Sequence, residues 1–370
     1  MEKGTRADET ACCDAKKAAF LAAGQRADKG RFRYRAGLLA MLLFLSGLGL
    51  SSASAEQAET PLFIYLASDR IADNPFLELA RRGVQEAAVR YRADSLILQA
   101  VHPADRSPLL HLALADKPDV LVLSGFAFNQ LLAKLAPQHP NTQIILIDHC
   151  LELRPANLHC AVFREYEVAY LIGFTAARLS QTGQLGVVGA LDIPLLRRFS
   201  VGFARGARAA RPQIEVAVRW VGGDNPFADP ARAASLAGQL HAGGADVIFS
   251  ATSGGDSGVF EQAGREQFLV FLADINRCPM AAGRLVDNAL KPVDRVVGKM
   301  LEQVMEEKPA ARHSFGLAEG GMDMMALRRP AERASSRCLI ADHPELLAKL
   351  GQLAGAIASG ALTLSDPALE

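Results

Sequence analysis

One short stretch in the second half of the chain has residue types and an order that could form a nucleophilic site. Residues 255–258, Gly-Asp-Ser-Gly, reproduce the tetrapeptide around the nucleophilic serine of chymotrypsin-like proteases. That chemistry needs a histidine base and an aspartate, positioned there by an all-β double barrel. The frame of an α/β-hydrolase elbow, Gly-x-Ser-x-Gly, does not fit. Two other interpretations are a tight turn that binds nothing and a glycine loop at a helix start, whose free N–H groups donate to ligand oxygens.

The elements around this stretch decide between these interpretations. Apolar runs of strand length alternate with helical patterns over residues 61–148, and a fifth apolar run follows at 159–163. Apolar strands separated by helices predict a parallel sheet with helices on both faces. The alternation begins again and continues over residues 166–274. The Gly-Asp-Ser-Gly stretch then follows a parallel strand and opens a helix, which favours a ligand-binding loop at Gly254 and Gly255 and no catalytic residue.

The predicted fold class is therefore α/β, with two doubly wound parallel-sheet lobes in tandem. Lobe 1 spans 61–163 and lobe 2 spans 165–275. A further helical pattern at 292–307 comes after both. We expect about 285–310 to complete lobe 1 and about 315–365 to complete lobe 2. Two such lobes enclose a cleft at the carboxyl ends of their strands, which is where ligands bind in parallel sheets.

The N-terminal 55 residues differ from the rest of the chain. A basic stretch precedes an apolar run at 36–50, and a small-x-small sequence follows at 53–55. The apolar run is shorter than the ~20 residues of a membrane span. This order is typical of a secretory signal peptide, here at 1–55 with an N-terminal extension, and an uncleaved anchor helix is the alternative. We expect a soluble, monomeric, periplasmic protein that begins near Glu56.

Composition argues against several classes of partner. The net charge of zero gives no global attraction to nucleic acid or to an anionic membrane. The spacing of the eight histidines and of the cysteines matches no metal site, so neither a metal nor a cofactor is expected. An exported chain can form two disulfides from the four cysteines that follow the signal segment. The short separation of Cys150 and Cys160 suits one pair and leaves Cys278 with Cys338, but all three connectivities stay open.

Six stretches of the mature chain carry a family resemblance: 119–148, 163–209, 246–260, 285–297, 315–327 and 357–364. The block that begins "FREYEVAYLIGFTAARLS" is the most specific of them. Together they resemble the basic membrane protein family, the purine-nucleoside-receptor-like solute-binding proteins of ABC importers. The resemblance implies a periplasmic-binding-protein type I-like fold. It also implies an exported protein that binds a nucleoside in the interlobe cleft and delivers it to a membrane permease without catalysis.

The same resemblance implies the residues of the site. Phe76 and Phe199 match two phenylalanines that stack on the base. Asp148 matches an acid at the base edge, and Asp274 matches the acid that holds the ribose hydroxyls. Lys291 matches a lysine of the family's site. The residues also have structural alternatives, namely core packing for the phenylalanines, helix caps for the aspartates and a solvated helix start for the lysine.

This sequence departs from the family pattern at Leu77, where the family has asparagine, and at Asn276-Arg277, where it has Asp-Gln. Another flat, polar small molecule is therefore an alternative ligand. Two other functions are possible alternatives, a sensor subunit for a membrane receptor and a nucleoside hydrolase, and the hydrolase would need a carboxylate cluster or a metal. Five arginines near Phe199 predict a solvated helix face rather than an anion site: 197, 198, 205, 208 and 211.

Overall fold

The apolar runs of the sequence form strands in two separate parallel sheets. The computed structural model describes residues 60–152, 155–280 and 283–369, and the predicted signal peptide at 1–55 lies outside these ranges. The strands within them are β1 (Leu62–Ala67), β2 (Asp94–Gln99), β3 (Val120–Ser124), β4 (Gln143–Ile147), β5 (Leu158–Phe163), β6 (Gln184–Gly189), β7 (Glu215–Trp220), β8 (Val247–Ala251), β9 (Leu269–Asp274), β10 (Leu285–Leu290) and β11 (Arg312–Phe315). The first sheet has the order β11-β5-β4-β3-β1-β2 and the second has the order β10-β9-β8-β6-β7.

Helices connect these strands, as the predicted alternation requires. They are α1 (Pro75–Tyr91), α2 (Arg106–Ala115), α3 (Asn129–Leu135), α4 (Glu165–Leu179), α5 (Pro194–Ala210), α6 (Pro230–Ala242), α7 (Asp256–Glu266), α8 (Val293–Met305), α9 (Pro330–Ser336) and α10 (Pro344–Ala358). The interior strands β3 and β5 are buried along their whole length, and β4 is buried after its half-buried first residue, because helices cover both faces of a parallel sheet. Residues on the edge strand β7 instead alternate between exposed and half-buried.

The chain passes between the two lobes at three places. It leaves the first sheet after β5 and enters α4, which packs against α5 in the second lobe. It returns after β10, because α8 packs against α1 of the first lobe. After β11, the last strand of the first sheet, the chain goes back to the second lobe, where α10 packs on α4 and the turn Pro367–Leu369 packs on α5.

One predicted boundary is wrong. The sequence assigned about 285–310 to lobe 1, but β10 is the edge strand of the second sheet, paired with β9 from Leu285 opposite Val270 to Leu290 opposite Asp274. The segment Leu285–Leu290 is buried throughout and extends the second core. The chain therefore crosses to the first lobe only after β10, and this places Lys291 at a crossing.

Helices α4 and α5 approach each other unusually closely, and two glycines allow it. A Cβ atom on Gly206 would lie 1.8 Å from the carbonyl oxygen of Tyr170, and one on Gly173 would lie 1.9 Å from that of Phe203. Such distances are far inside van der Waals contact, so both positions require glycine while the helices keep this packing. The position of α5, which carries Phe199, therefore depends on this contact.

Two disulfides select one of the three possible connectivities. Cys150 bonds to Cys160, and Cys278 bonds to Cys338. The first ties the segment after β4 to β5, and the second ties the segment after β9 to the C-terminal part of the chain. Across the described ranges, no helix combines the length and the apolar character that a membrane span needs.

Candidate functional site

A cavity of about 270 Å³ lies between the two lobes, at the carboxyl ends of their strands. Its first-lobe wall includes Ser68 after β1, Ser124 at the end of β3 and Asp148 after β4. Its second-lobe wall includes Ser253 after β8 and Asp274 at the end of β9. The parallel order of both sheets brings these chain-distant strand ends together, so the predicted cleft is present.

The structure brings five of the seven sequence-predicted residues to this cavity: Phe76, Asp148, Phe199, Asp274 and Lys291. Phe76 comes from the first turn of α1 and Phe199 from α5, so the two rings reach the cavity from opposite lobes. Phe199 also contacts the core, edge-to-face with Phe249 at a centroid distance of 5.8 Å. Phe199 therefore both packs in the core and lines the cavity.

Lys291 lies at the centre of a buried charge cluster. Its ammonium group donates to Asp148 of the first lobe and, at 2.9 Å, to Glu165 at the start of α4. It also lies 5.2 Å from the centroid of the Phe76 ring and 4.4 Å from that of Phe163, within cation–π range. The ammonium is therefore enclosed by two carboxylates and two aromatic rings, and the solvated helix start considered for Lys291 does not occur.

Burial and charge shift the pKa values in this cluster in a consistent way. Burial alone would lower the pKa of Lys291, but the carboxylates of Asp148 and Glu165 raise it above its ordinary value. Burial raises the pKa of Glu165 to about 7, although Lys291 acts to lower it. Lys291 is therefore held as a cation whose charge two carboxylates of the protein balance where the chain crosses between the lobes, and the pKa of Glu165 is raised toward neutrality.

The carboxylate of Asp274 forms an acidic edge of the cavity wall, separate from the Lys291 cluster. This carboxylate is buried and accepts a hydrogen bond from the Ser253 hydroxyl at 2.8 Å. Burial raises the pKa of Asp274 to about 6, against the lowering effect of Lys291. The backbones of Asp148 and Asp274 both have positive φ, at 74° and 68°, a conformation that is uncommon outside glycine. Both acids thus end strands in sharp turns, which direct their side chains to the cavity, and neither caps a helix.

The predicted role of the glycine loop is wrong. The N–H of Gly254 donates to the Phe227 carbonyl oxygen at 2.9 Å, and the N–H of Gly255 donates to that of Thr252 at 3.1 Å. Neither glycine lines the cavity. The Ser257 hydroxyl donates to the Gly254 carbonyl oxygen within the same turn. Backbone carbonyl groups therefore already accept from the donors that the sequence suggested for a ligand.

Sequence reasoning missed several residues of the cavity wall. Phe126 and Phe227 line it from loops that follow β3 and β7, and Arg106 lines it from the first residue of α2. The Arg106 Nε donates to the Ser68 carbonyl oxygen at 3.2 Å. The two phenylalanines each follow a strand end and a glycine, so the carboxyl-end rule could have found them.

One arginine of the predicted solvated face is buried. Arg198 is 8% exposed, and its Nε donates to Asp366 in the C-terminal segment at 2.8 Å. Its Nη1 lies 3.9 Å from Glu165. Arg197, the next residue, is exposed and pairs with Asp192, as a solvated position predicts. The sequence could not separate the two because the C-terminal segment that covers Arg198 is remote in the chain.

Over the described ranges, histidine, cysteine, aspartate and glutamate side chains nowhere form a group of three placed to hold a metal ion. The cavity instead combines aromatic rings, serine hydroxyls and buried acids. Such a wall can bind a flat molecule that has an apolar face and a hydroxylated or polar rim.

Two bacterial proteins are similar to this chain in sequence. Basic membrane protein A of Borreliella burgdorferi is 28% identical over 265 residues, which cover 70% of this chain and 76% of that protein. The ABC transporter nucleoside-binding protein BmpA of Lactococcus lactis subsp. cremoris is 27% identical over 139 residues, 38% of each chain.

Solved structures agree on the fold. An ABC transporter solute-binding protein from Aeropyrum pernix superposes with a TM-score of 0.70 at 23% identity, covering 83% of this chain and 94% of that one. A second, from Conexibacter woesei, gives a TM-score of 0.63 at 20% identity, with coverage of 83% and 99%. The fold is thus the two-lobed, periplasmic-binding-protein type I-like architecture. Because the match to the family of PnrA-like ABC transporter substrate-binding proteins extends over residues 62–350, the chain belongs to that family.

Proposed function

We propose that this protein is a monomeric periplasmic receptor that binds a nucleoside, or a closely similar flat and hydroxylated compound, and passes it unchanged to an ABC permease. The observation that carries the proposal is the meeting of Phe76, Phe199 and Asp274 at one interlobe cavity. Aromatic rings suit the face of a base, and stacking contributes roughly 1–3 kcal/mol per base. A carboxylate suits a ribose diol, because it accepts two charge-assisted hydrogen bonds.

The charge pattern supports a neutral ligand. Lys291 already has two carboxylate partners, so it does not require an anion from the ligand. Asp148 retains lone pairs beyond its bond to Lys291 and can accept from the edge of a base. The name of the Lactococcus relative, a nucleoside-binding protein, points to the same ligand class.

Thermal shift with a panel of nucleosides, bases and vitamins tests the proposal. At a ligand concentration 100-fold above Kd, binding stabilises the folded state by about 2.7 kcal/mol. We expect inosine or another nucleoside to raise the Tm by about 5 °C, and native mass spectrometry to detect the complex. Phe199→Ala and Asp274→Ala should each abolish the rise without unfolding the protein.

Matched control variants show whether a lost ligand-induced rise in Tm comes from the cavity or from a general loss of stability. Phe260 on α7 and the exposed Asp192 do not line the cavity, so Phe260→Ala and Asp192→Ala should keep the ligand-induced rise. Retained binding in both Phe199→Ala and Asp274→Ala would contradict the site. Release of free base from inosine during incubation would contradict binding without catalysis.

A further inference from the structure

The two lobes touch directly beside the cavity, through consecutive residues on each side. The Ser253 hydroxyl of the second lobe lies 2.8 Å from Asn74 Oδ1 of the first. The backbone of Gly254 is so close to Asp73 that a Cβ atom on Gly254 would lie 2.0 Å from the Asp73 carbonyl oxygen. Gly254 does not have the positive φ that favours glycine, so close backbone approach explains this residue, first that of Asp73 in the other lobe and then that of Phe227, whose carbonyl oxygen would lie 2.9 Å from the Cβ atom.

Asn74 takes part in this contact and also caps the helix that carries Phe76, an aromatic residue of the cavity wall. Its Oδ1 accepts from the backbone N–H groups of Phe76 at 3.0 Å and Leu77 at 3.3 Å, and so caps the start of α1. The same oxygen accepts the Ser253 hydroxyl. One side chain therefore determines where the helix that carries Phe76 begins and also contacts the opposite lobe.

Ser253 connects the contact to the acidic edge. Its hydroxyl has one hydrogen but lies within 2.8 Å of two acceptors, Asn74 Oδ1 and Asp274 Oδ2. A ligand hydroxyl that donates to Asp274 Oδ2 would compete with Ser253 for that oxygen, which favours the orientation in which Ser253 donates to Asn74. Ligand bound at Asp274 would in this way favour the hydrogen bond between the lobes.

We propose that Asn74, Ser253 and Gly254 form an interlobe latch that positions Phe76 in the closed cavity and determines how tightly the ligand is retained. Asn74 and Ser253 also line the cavity, but in the latch all three act as positioning residues, through Phe76, Asp274 and the closure of the lobes. The inference rests on the proposed function, in which the cavity closes around a small molecule.

Gly254→Ala tests the latch, with Gly264→Ala on α7 as its matched control. A Cβ atom on Gly254 forces the two backbones apart by roughly 1 Å or more, whereas one on Gly264 meets nothing within 4 Å. For Gly254→Ala we expect inosine affinity to fall by about 10-fold or more, mainly through faster dissociation. The radius of gyration from small-angle scattering with inosine should exceed that of the wild type, while the Tm without ligand stays close to it. Gly264→Ala should match the wild type in every measurement.

Asn74→Ser provides a second, gentler variant. Serine is as good a helix N-cap as asparagine, and we expect its shorter side chain not to reach Ser253. We expect weaker inosine binding and faster amide hydrogen exchange at Ser253 and Gly254, with an unchanged Tm. If either variant folds and keeps wild-type affinity, exchange and scattering, the latch is refuted. If the wild type itself binds no member of the panel, the proposed ligand class fails, and the comparison of amide hydrogen exchange without ligand still decides the latch.

Discussion

Lys291→Met should destabilise the protein strongly at pH 7.5. Lys291 is 3% exposed, and its partners Asp148 and Glu165 are 8% and 0% exposed. Methionine keeps much of the volume but removes the ammonium group from two buried carboxylates, and Glu165 keeps only the more distant guanidinium of Arg198, 3.9 Å away. Removing one partner of a buried ion pair costs about 3–5 kcal/mol. At about 2 °C per kcal/mol for a protein of this size, the Tm should fall by about 8 °C.

The pH dependence of this loss follows from Glu165. Its pKa is about 7 even with Lys291 present, and removing the cation raises it further. A carboxyl whose folded pKa is raised stabilises the folded state at low pH and loses that contribution as the pH rises toward its folded pKa. The Tm difference between Lys291→Met and the wild type should therefore shrink from pH 7.5 to pH 5.5.

Thermal and urea unfolding at both pH values, with the disulfides intact, measure these differences. Lys299→Met is the matched control, because Lys299 is exposed on α8, and surface substitutions change stability by only about 0.5 kcal/mol. Adding Glu165→Gln to Lys291→Met should restore part of the lost stability, since it removes a buried carboxyl that must otherwise be either ionised without its lysine or protonated at pH 7.5. A Tm within about 2 °C of the wild type at pH 7.5, or a difference that does not change with pH, would refute this reasoning.

Two further predictions concern stability without ligand. The raised pKa of Asp274, about 6, makes ionisation of this carboxyl unfavourable in the folded state. As the pH rises from 4 to 7, the free energy of unfolding of Asp274→Asn should therefore increase by about 2–3 kcal/mol relative to that of the wild type. Urea titrations across that range check it, and parallel pH profiles would contradict it. Gly206→Ala should lower the free energy of unfolding by more than about 2 kcal/mol, because its Cβ atom would overlap the Tyr170 carbonyl oxygen. Gly264→Ala should instead be neutral or slightly stabilising, and equal melting temperatures for the two variants would contradict this expectation.

Local pattern predicted much of the architecture. The buried strands β3, β4 and β5 appear in the sequence as continuous apolar runs, because a strand covered on both faces has no polar side to show. The carboxyl-end rule together with the family resemblance then pointed to Asp148 and Asp274. The edge strand β10 was missed because "LVDNAL" contains two polar residues and resembles a loop as much as a strand.

The errors at the site have one physical origin. Gly254 was interpreted through its own loop, yet its nearest neighbour is Asp73, far away in the sequence and in the other lobe. Arg198 was interpreted through the periodicity of its helix, yet Asp366 near the end of the chain covers it. Helical and strand periods describe which face of an element is apolar, and they contain no information about which remote segment packs on that face.

The sequence by itself determined the two-lobed α/β architecture, the position of the cleft and the chemical types available there, because these depend on local periodicity and on the fixed geometry of parallel sheets. Only the tertiary structure decided that Lys291 is balanced by Asp148 and Glu165, and that Ser253 contacts Asn74. Such pairings depend on the distances between lobes, and distances of a few ångströms between chain-remote groups decide whether a buried charge is stabilised or a hydrogen bond forms.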